Sequence, residues 1–274
     1  MKLIQQSADI WVQPNGLEGA YKQIERSARL CYKSNDKITE NSYTDFIIML
    51  EKRKHLSPLE HGTVYLKIPN NHPNAVYYMT NPYSKTIVFG DTYYVTTNMR
   101  VIKEHHLEKD LVKYLCDPTE HHEKRISVHI VTSRSISHEL VRHRAFSFCQ
   151  ESQRYVNYSK DKFGNEVTFI IPTWVSTKCP NNDNEGPSIA DIRWSNTLDA
   201  AETSYFTLLN EGWKPQQARE VLPNSTKTEL VMTGFESDWD KFFELRCSKA
   251  AHPMMQDLAN KIKEVFSKYN YVVE

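Results

Sequence analysis

The sequence predicts an α+β fold, and three observations carry that reading. "TVYLKIP" and "RISVHIVTS" alternate apolar residues with a period of two, as half-buried strands do. Several longer stretches space their apolar residues three and four apart, the helical period. Strands and helices are interspersed without a regular β-α rhythm, which reads as one domain with a few long strands.

Taken in order, "LEGAYKQIERSARLCYKS" is a helix with Ala20, Ile24, Ala28 and Cys31 on one face. "NSYTDFIIMLEKRKH" is a second helix, with Thr44 as its candidate cap. "TVYLKIP" puts Val64, Leu66 and Ile68 on one face and stops at Pro69. "VYYMTNPYSKTIVFGDTYYVTTN" suggests strand pieces around turns, and "RVIKEHHLEKDLVKYL" an amphipathic helix. "RISVHIVTS" aligns Ile126, Val128 and Ile130, and "SISHELVRHRAF" carries helix spacing at Ile136, Leu140 and His143. "EVTFIIPTW" is a strand stopped by Pro172, and "STKCPNNDNEGPS" is a loop by its Pro, Asn and Gly content. A long helix aligns Leu198, Ala201, Tyr205 and Leu208, and "PQQAREVLP" is a short one entered through Pro215. The last helices hold Trp239, Phe242 and Phe243, then Met255, Leu258, Ile262 and Val265.

Composition narrows the function. A chain of 274 residues supports a core without staples. Lys+Arg and Asp+Glu each number 34, for a net charge of +0, which argues against a general nucleic-acid coat protein. The five cysteines are odd in number and lack C-x-x-C spacing, which argues against a disulfide framework or zinc ribbon and fits a reducing cytoplasm. "MKLIQQSADIWVQ" is no signal peptide, and no stretch approaches the ~18 apolar residues of a membrane span, so a soluble protein with no membrane partner is expected. The eight glycines form neither G-x-G-x-x-G nor G-x-x-x-x-G-K, so side chains and helix ends must hold any nucleotide.

The chemistry concentrates in "RHRAFSFCQESQRY", Arg142 to Tyr155, where three arginines, a histidine and a glutamate stand among aromatics. Such charge beside apolar surface needs partners. If the preceding helix persists, Arg142 and Arg144 point about 200° apart and face two ligands, or a ligand and a neighbouring subunit. If the later part is extended, Ser152 and Arg154 point the same way, which suits a phosphate or a uracil-like edge. The competing reading is a surface cluster paired with Glu139 and Glu151. Arg246 lies on the stripe of Trp239 and Phe243 and needs an anion, and Arg219 is flanked by apolar residues. Internal salt bridges to Glu220, Glu236 or Glu244 would serve instead. In "HLSPLEHGTVYL", Ser57 could cap a turn or contact a phosphate, just before Glu60 and His61. His105, His106 and "EHHEKR" lack the i, i+4 pair of a zinc helix, so a solvated face and no metal are expected. No G-x-S-x-G marks a catalytic serine.

Together these stretches resemble one family, the flavin-dependent thymidylate synthases (ThyX type). "RHRAFSFCQESQRY" is similar to the family signature, an R-H-R triplet, seven residues, then a serine: Arg142, His143, Arg144 and Ser152. "HLSPLEHGTVYL" resembles its flavin-side motif, H-x-[ST]-P-x-E-H, and "AREVLP" and "TGFESDWDKFFELR" resemble its C-terminal nucleotide-binding helices. The resemblance implies an antiparallel or mixed sheet with flanking helices, assembled as a homotetramer with shared active sites. It implies conversion of dUMP to dTMP, with methylenetetrahydrofolate as carbon donor and NADPH or NADH as reductant through FAD. Neither a covalent enzyme nucleophile nor a nucleic-acid partner is implied. By motif position, Ser57, Arg142, His143, Arg144 and Gln150 would contact FAD. Glu139, Arg142, Gln150, Glu151, Ser152, Gln153, Arg154, Arg219 and Arg246 would contact dUMP, and Arg246 would act catalytically by stabilising ionised uracil N3.

The chain also departs from the pattern. Gln150 stands where several relatives have glutamate, and Glu139 where some have glutamine. Phe235, Ser237 and Lys241 stand where some relatives use Asn and Arg near FAD. Residues 70–124 separate two strands that shorter relatives join closely, which suggests an insertion within a single domain of residues 1–274. Cys149 lacks an activating base and reads as a packing residue. Two other classes compete: a non-catalytic nucleotide- or RNA-binding module, and a histidine-based metal hydrolase.

Overall fold

The computed structural model describes residues 1–154, 156–160, 164–176 and 187–269. Residues 177–186 of the expected loop, with Cys179, lie outside the described residues.

The chain opens with two short strands, β1 (Lys2–Ile4) and β2 (Ser7–Ile10), which short polar-apolar stretches did not announce. Helix α1 (Gly16–Tyr32) buries Ala20, Ile24 and Ala28, as its periodicity required. Helix α2 (Ser42–Lys52) begins two residues before the expected Thr44 cap, and Ser42 Oγ accepts from the Thr39 amide at 2.9 Å. Strand β3 (Thr63–Pro69) buries Val64, Leu66 and Ile68. The "VYYMT" stretch forms a helix, α3 (Ala75–Thr80), rather than a strand. Tertiary contact overrides its β propensity: Tyr78 is buried and its hydroxyl donates to Asp110 at 3.1 Å. A hairpin follows, β4 (Lys85–Phe89) and β5 (Thr92–Asn98), turning at Gly90 with φ 58°. The expected single helix after it is two, α4 (Met99–Glu104) and α5 (Glu108–Tyr114), broken where His106 takes φ 56°.

Strand β6 (Arg125–Ser133) runs into α6 (Arg134–Leu140), then β7 (Ser147–Gln150) and β8 (Thr168–Ile170). Helix α7 (Ile189–Asn210) starts on a capping box in which Ser188 and Asp191 satisfy each other's amides. Helix α8 (Pro215–Ala218), β9 (Lys227–Phe235), α9 (Glu236–Arg246) and α10 (Pro253–Lys268) complete the described chain.

Among the described residues the strands form three sheets. The largest is antiparallel in the order β2-β6-β9-β7, a second is antiparallel in the order β3-β5-β4, and β1 pairs with β8 in parallel. One face of the large sheet presents Ile126, Val128, Ile130, Leu230 and Met232 to Trp239, Phe242, Leu258, Ile262 and Phe266 of α9 and α10. The indole of Trp239 is fully buried and donates to the Ile126 carbonyl at 3.2 Å. On the other face Val231 packs with Trp11 and with Leu30 of α1.

A second core joins α1, α2 and β3 to Val95, Met99, Ile102 and Leu111. Each fully buried Leu or Ile there contributes about 1.5–3 kcal/mol. The 70–124 segment supplies two strands of the second sheet and a large share of this core. Among the described residues no helix is long and apolar enough to cross a membrane.

Helix α1 approaches the preceding loop so closely that a Cβ on Gly19 would meet the Pro14 carbonyl oxygen at 1.9 Å. Gly19→Ala should therefore destabilise the fold by about 1–3 kcal/mol. Urea unfolding followed by circular dichroism checks this, and an unchanged midpoint would mean that the approach is looser than described.

Candidate functional site

Helix α6 and the turn after it gather most of the residues expected to act. Ser133 caps the helix, its hydroxyl accepting from the Ile136 amide at 3.4 Å. The helix ends at Leu140, so Arg142, His143 and Arg144 lie in the following turn and not on a helical face. No helix therefore holds Arg142 and Arg144 on opposed faces. Arg142 and Arg144 are exposed, and their side chains have no hydrogen-bond or ion-pair partner among the described residues.

Arg246, at the end of α9, is held by this turn. Its Nε donates to His143 Nε2 at 2.9 Å and its Nη1 to Glu139 Oε2 at 3.1 Å. The ion pair is thus with Glu139, and not with Glu220, Glu236 or Glu244. His143 also sets its ring edge-on to Phe242, with centroids 5.1 Å apart. Burial and the adjacent Arg246 charge push its pKa down from 6.5 to about 4. The ring is therefore neutral at pH 7, with its proton on Nδ1 and the Nε2 lone pair facing Arg246.

Gln150 turns back to the same helix. Its amide donates to Ser137 at 2.9 Å and to Thr228 at 3.1 Å. Glu151 is buried and ion-paired to Lys227 at 3.1 Å and Lys33 at 3.6 Å. Glu229 joins these lysines and accepts from His129 at 3.2 Å. Burial would raise the Glu229 carboxyl, but the His129 hydrogen bond and both lysines hold it far below the carboxylate range. Glu151 therefore borders a cleft of about 550 Å³ lined also by Lys2, Lys33, Tyr158 and Lys227.

Beyond Glu151, the Ser152 amide donates to the Cys31 carbonyl at 3.2 Å, and the Arg154 amide to Ser152 Oγ at 3.4 Å. Burial raises the Tyr158 pKa, and Gln153 nearby lowers it in part. Arg219 has Glu220 at 3.6 Å, and its charge acts on Arg134, a residue that the sequence did not single out. Arg134 is half-buried, and burial followed by the Arg219 charge lowers its pKa. Two arginines whose charges act on each other suit a dianionic ligand.

Ser57 is exposed on a 3₁₀ turn, Ser57–His61, and caps nothing. It lines a second cleft of about 520 Å³ with Tyr32, His55, Arg100, Phe148 and Gln150. The turn is pinned from below. Half-buried Arg125 donates to the Glu60 carbonyl at 2.8 Å and to Ser147 at 3.3 Å. Buried His61 meets Thr233 at 2.8 Å, and burial lowers its pKa to about 3. Ser57 and Gln150 thus share one cleft, and Glu139, His143 and Arg246 one cluster. Glu151 faces the other cleft, and Arg219 lies with Arg134.

Residues 76–269 match the family described as thymidylate synthase complementing protein (Thy1). The chain belongs to this family. Among its relatives, a flavin-dependent thymidylate synthase of Corynebacterium aurimucosum is 35% identical over 133 residues, 46% of this chain and 51% of that one. Those of Geobacter sulfurreducens and Pyrococcus furiosus are 32% and 30% identical, covering 46% and 50% of this chain and 49% and 51% of theirs. The chain thus spans about half the length of the curated relatives it matches. A solved UMP/dUMP methylase, PolB of Streptomyces cacaoi bound with 5-Br dUMP, is 17% identical, with full coverage of both chains and a TM-score of 0.45.

His143 has a folded pKa of about 4 against an ordinary 6.5, so the unfolded chain takes up its proton first. Stability from this group is present above pH 6.5 and is lost as pH falls toward 4. His61, with its pKa of about 3, acts in the same direction. The urea midpoint should fall across this window, and fall less in His143→Gln, which keeps an acceptor but cannot protonate there. Equal slopes for the two proteins would sink the neutral-His143 assignment.

Proposed function

We propose that this chain is a flavin-dependent thymidylate synthase that methylates dUMP to dTMP. In this reading methylenetetrahydrofolate supplies the carbon and NADPH or NADH the reducing equivalents. The observation that carries it is the Glu139–His143–Arg246 cluster, set against Arg142 and Arg144 of the family signature, whose side chains have no partner among the described residues. A surface ion-pair cluster would have matched those two arginines with carboxylates.

The residues present fit FAD. A dianionic pyrophosphate needs cations with free donors, and Arg142 and Arg144 offer them. The cleft of Ser57, Tyr32, His55 and Phe148 adds a hydroxyl and aromatic surface. When bound, FAD would supply the hydride chemistry, and the protein supplies placement and electrostatics. Ser57, Arg142, His143, Arg144 and Gln150 are assigned to it.

Glu139, Arg142, Gln150 to Arg154, Arg219 and Arg246 are assigned to dUMP. Glu139 and His143 occupy the Nη1 and Nε donors of Arg246 and fix the plane of its guanidinium. Its remaining N–H groups are then aimed before substrate arrives. Loss of the N3 proton places negative charge on the uracil ring, and a pre-oriented guanidinium stabilises that charge most where it develops. Carbon C5 becomes more electron-rich in consequence. Arg219 and Arg134 would together meet the phosphate.

The same reading makes the protein a cytoplasmic homotetramer with shared active sites. It treats residues 1–274 as one synthase domain, with the 70–124 segment as an insertion.

The test is a visible spectrum of the purified protein, then anaerobic NADPH with dUMP, then a direct dTMP assay with methylenetetrahydrofolate. A flavin spectrum that bleaches, with dTMP formed, is the expected result. A protein that takes up no FAD when it is supplied would overturn the reading. Arg246→Ala should keep FAD and lose turnover by about 10²–10³-fold, the cost of removing one such donor. Arg142→Ala and Arg144→Ala should weaken FAD retention while moving stability by no more than about 0.5 kcal/mol. Flavin release on dilution and urea midpoints separate these effects.

A further inference from the structure

The fold brings a second sulfur to Cys149. Strand β7 pairs antiparallel with β9, and Cys149 is the direct partner of Val231. Directly paired residues project to one face. On that face Val231 packs against Leu30 of α1, and the next residue along the helix is Cys31. The backbone tightens the approach through the Ser152 amide, which donates to the Cys31 carbonyl at 3.2 Å. Both thiols are free, both line the cleft that holds Ser57, and each shifts the titration of the other. Cys31 is partly exposed there, whereas Cys149 is 3% exposed. We propose that Cys31 and Cys149 form a peroxide-sensitive site that closes to a disulfide in the wall of the cleft.

The roles of the two sulfurs follow from their surroundings. The neighbouring Cys149 thiol lowers the Cys31 pKa against the effect of burial. Cys149 is buried, and the Cys31 thiol together with that burial raises its pKa. Cys31 is the sulfur that a peroxide can reach, so it is the attacking thiolate, and the buried Cys149 is the resolving thiol. The Cys31 sulfur attacks a peroxide oxygen, the O–O bond breaks, and one water leaves as Cys31 becomes a sulfenic acid. The Cys149 sulfur then attacks the Cys31 sulfur. The S–S bond forms, the S–O bond breaks, and the hydroxyl departs as a second water with the Cys149 proton. Two thiols lose two electrons and two protons, and one peroxide becomes two waters. By contrast, Cys116 has the His122 ring as its neighbour, at 3.9 Å.

The experiment uses the purified full chain, freed of reductant and treated with hydrogen peroxide. After quenching with catalase, the protein is denatured, alkylated with N-ethylmaleimide, and analysed by intact mass and peptide mapping. Expected is the loss of two of the five thiols. One linked peptide pair should join Cys31 to Cys149 at monomer mobility, and dithiothreitol should reverse it. Cys149→Ser should stop at a sulfenic acid on Cys31, trapped by dimedone. A link to any other cysteine overturns the proposal. So does Cys31 passing to sulfinic acid while Cys149 still alkylates, or five intact thiols after exposure that oxidises free glutathione. Should the serine variant not fold, the linkage map of the unaltered chain decides alone.

Discussion

Nine consecutive residue pairs, from Arg125–Phe235 to Ser133–Lys227, join β6 to β9, and the rest of the molecule is arranged about this ladder. Because side chains alternate across a strand, the pairing serves two cores at once. Leu230 and Met232 face α9 and α10, while Val231 faces α1. Between the cores a column of hydroxyls carries the polar contacts: Ser127 and Thr233 lie 2.7 Å apart, and Thr233 meets His61. The ladder also sets where the site begins. Strand β6 ends where α6 starts, and β9 leads directly into the helix that ends at Arg246. A one-residue slip would reverse every face and separate Arg246 from Glu139 and His143.

The ionic group around Lys33 and Lys227 extends this control to the signature's far end. Lys33 takes a left-handed conformation at φ 48°, closing α1. Its ammonium is mostly buried, and burial lowers its pKa while Glu151 raises it. Buried pairs of this kind often break even against desolvation, so their value lies in fixing register more than in net stability. Here they fix Glu151, whose carboxylate also accepts from the Glu229 amide at 3.1 Å. Ser152, Gln153 and Arg154 follow from that anchored point. A strand exit pinned by charge fixes the direction in which the following arginine is presented.

Much of this was legible in the sequence, and the parts that were not have physical reasons. β3, β6, α1 and α7 were read from periodicity because each buries one face. β9 escaped because it is buried on both faces and its apolar residues do not alternate with polar ones. β1, β2 and β7 are three or four residues long, too short for a period to register. The arginines of the signature stood out from composition, but their partners did not. Nothing local links Arg246 to His143, Cys31 to Cys149, or Arg134 to Arg219. Those contacts exist only once α1, α6 and α9 are packed on the sheet.

The 70–124 segment matters to the site for a reason that strand counting would miss. Arg100 of α4 pairs with Glu60 at 2.6 Å and with Glu104 at 2.9 Å. The Met99 amide donates to the Gly62 carbonyl at 2.9 Å, immediately after the Ser57–His61 turn. Gly62 is itself packed so tightly that a Cβ would meet Ile24 at 2.5 Å. The turn that carries Ser57 is therefore clamped between α1 and α4, with half-buried Arg125 closing it from the large sheet. Arg100 and Glu104 line the Ser57 cleft as well as bracing it. A segment with only a peripheral role would leave that cleft unchanged on removal. This one supplies part of the cleft wall and the contacts that hold the opposite wall in place.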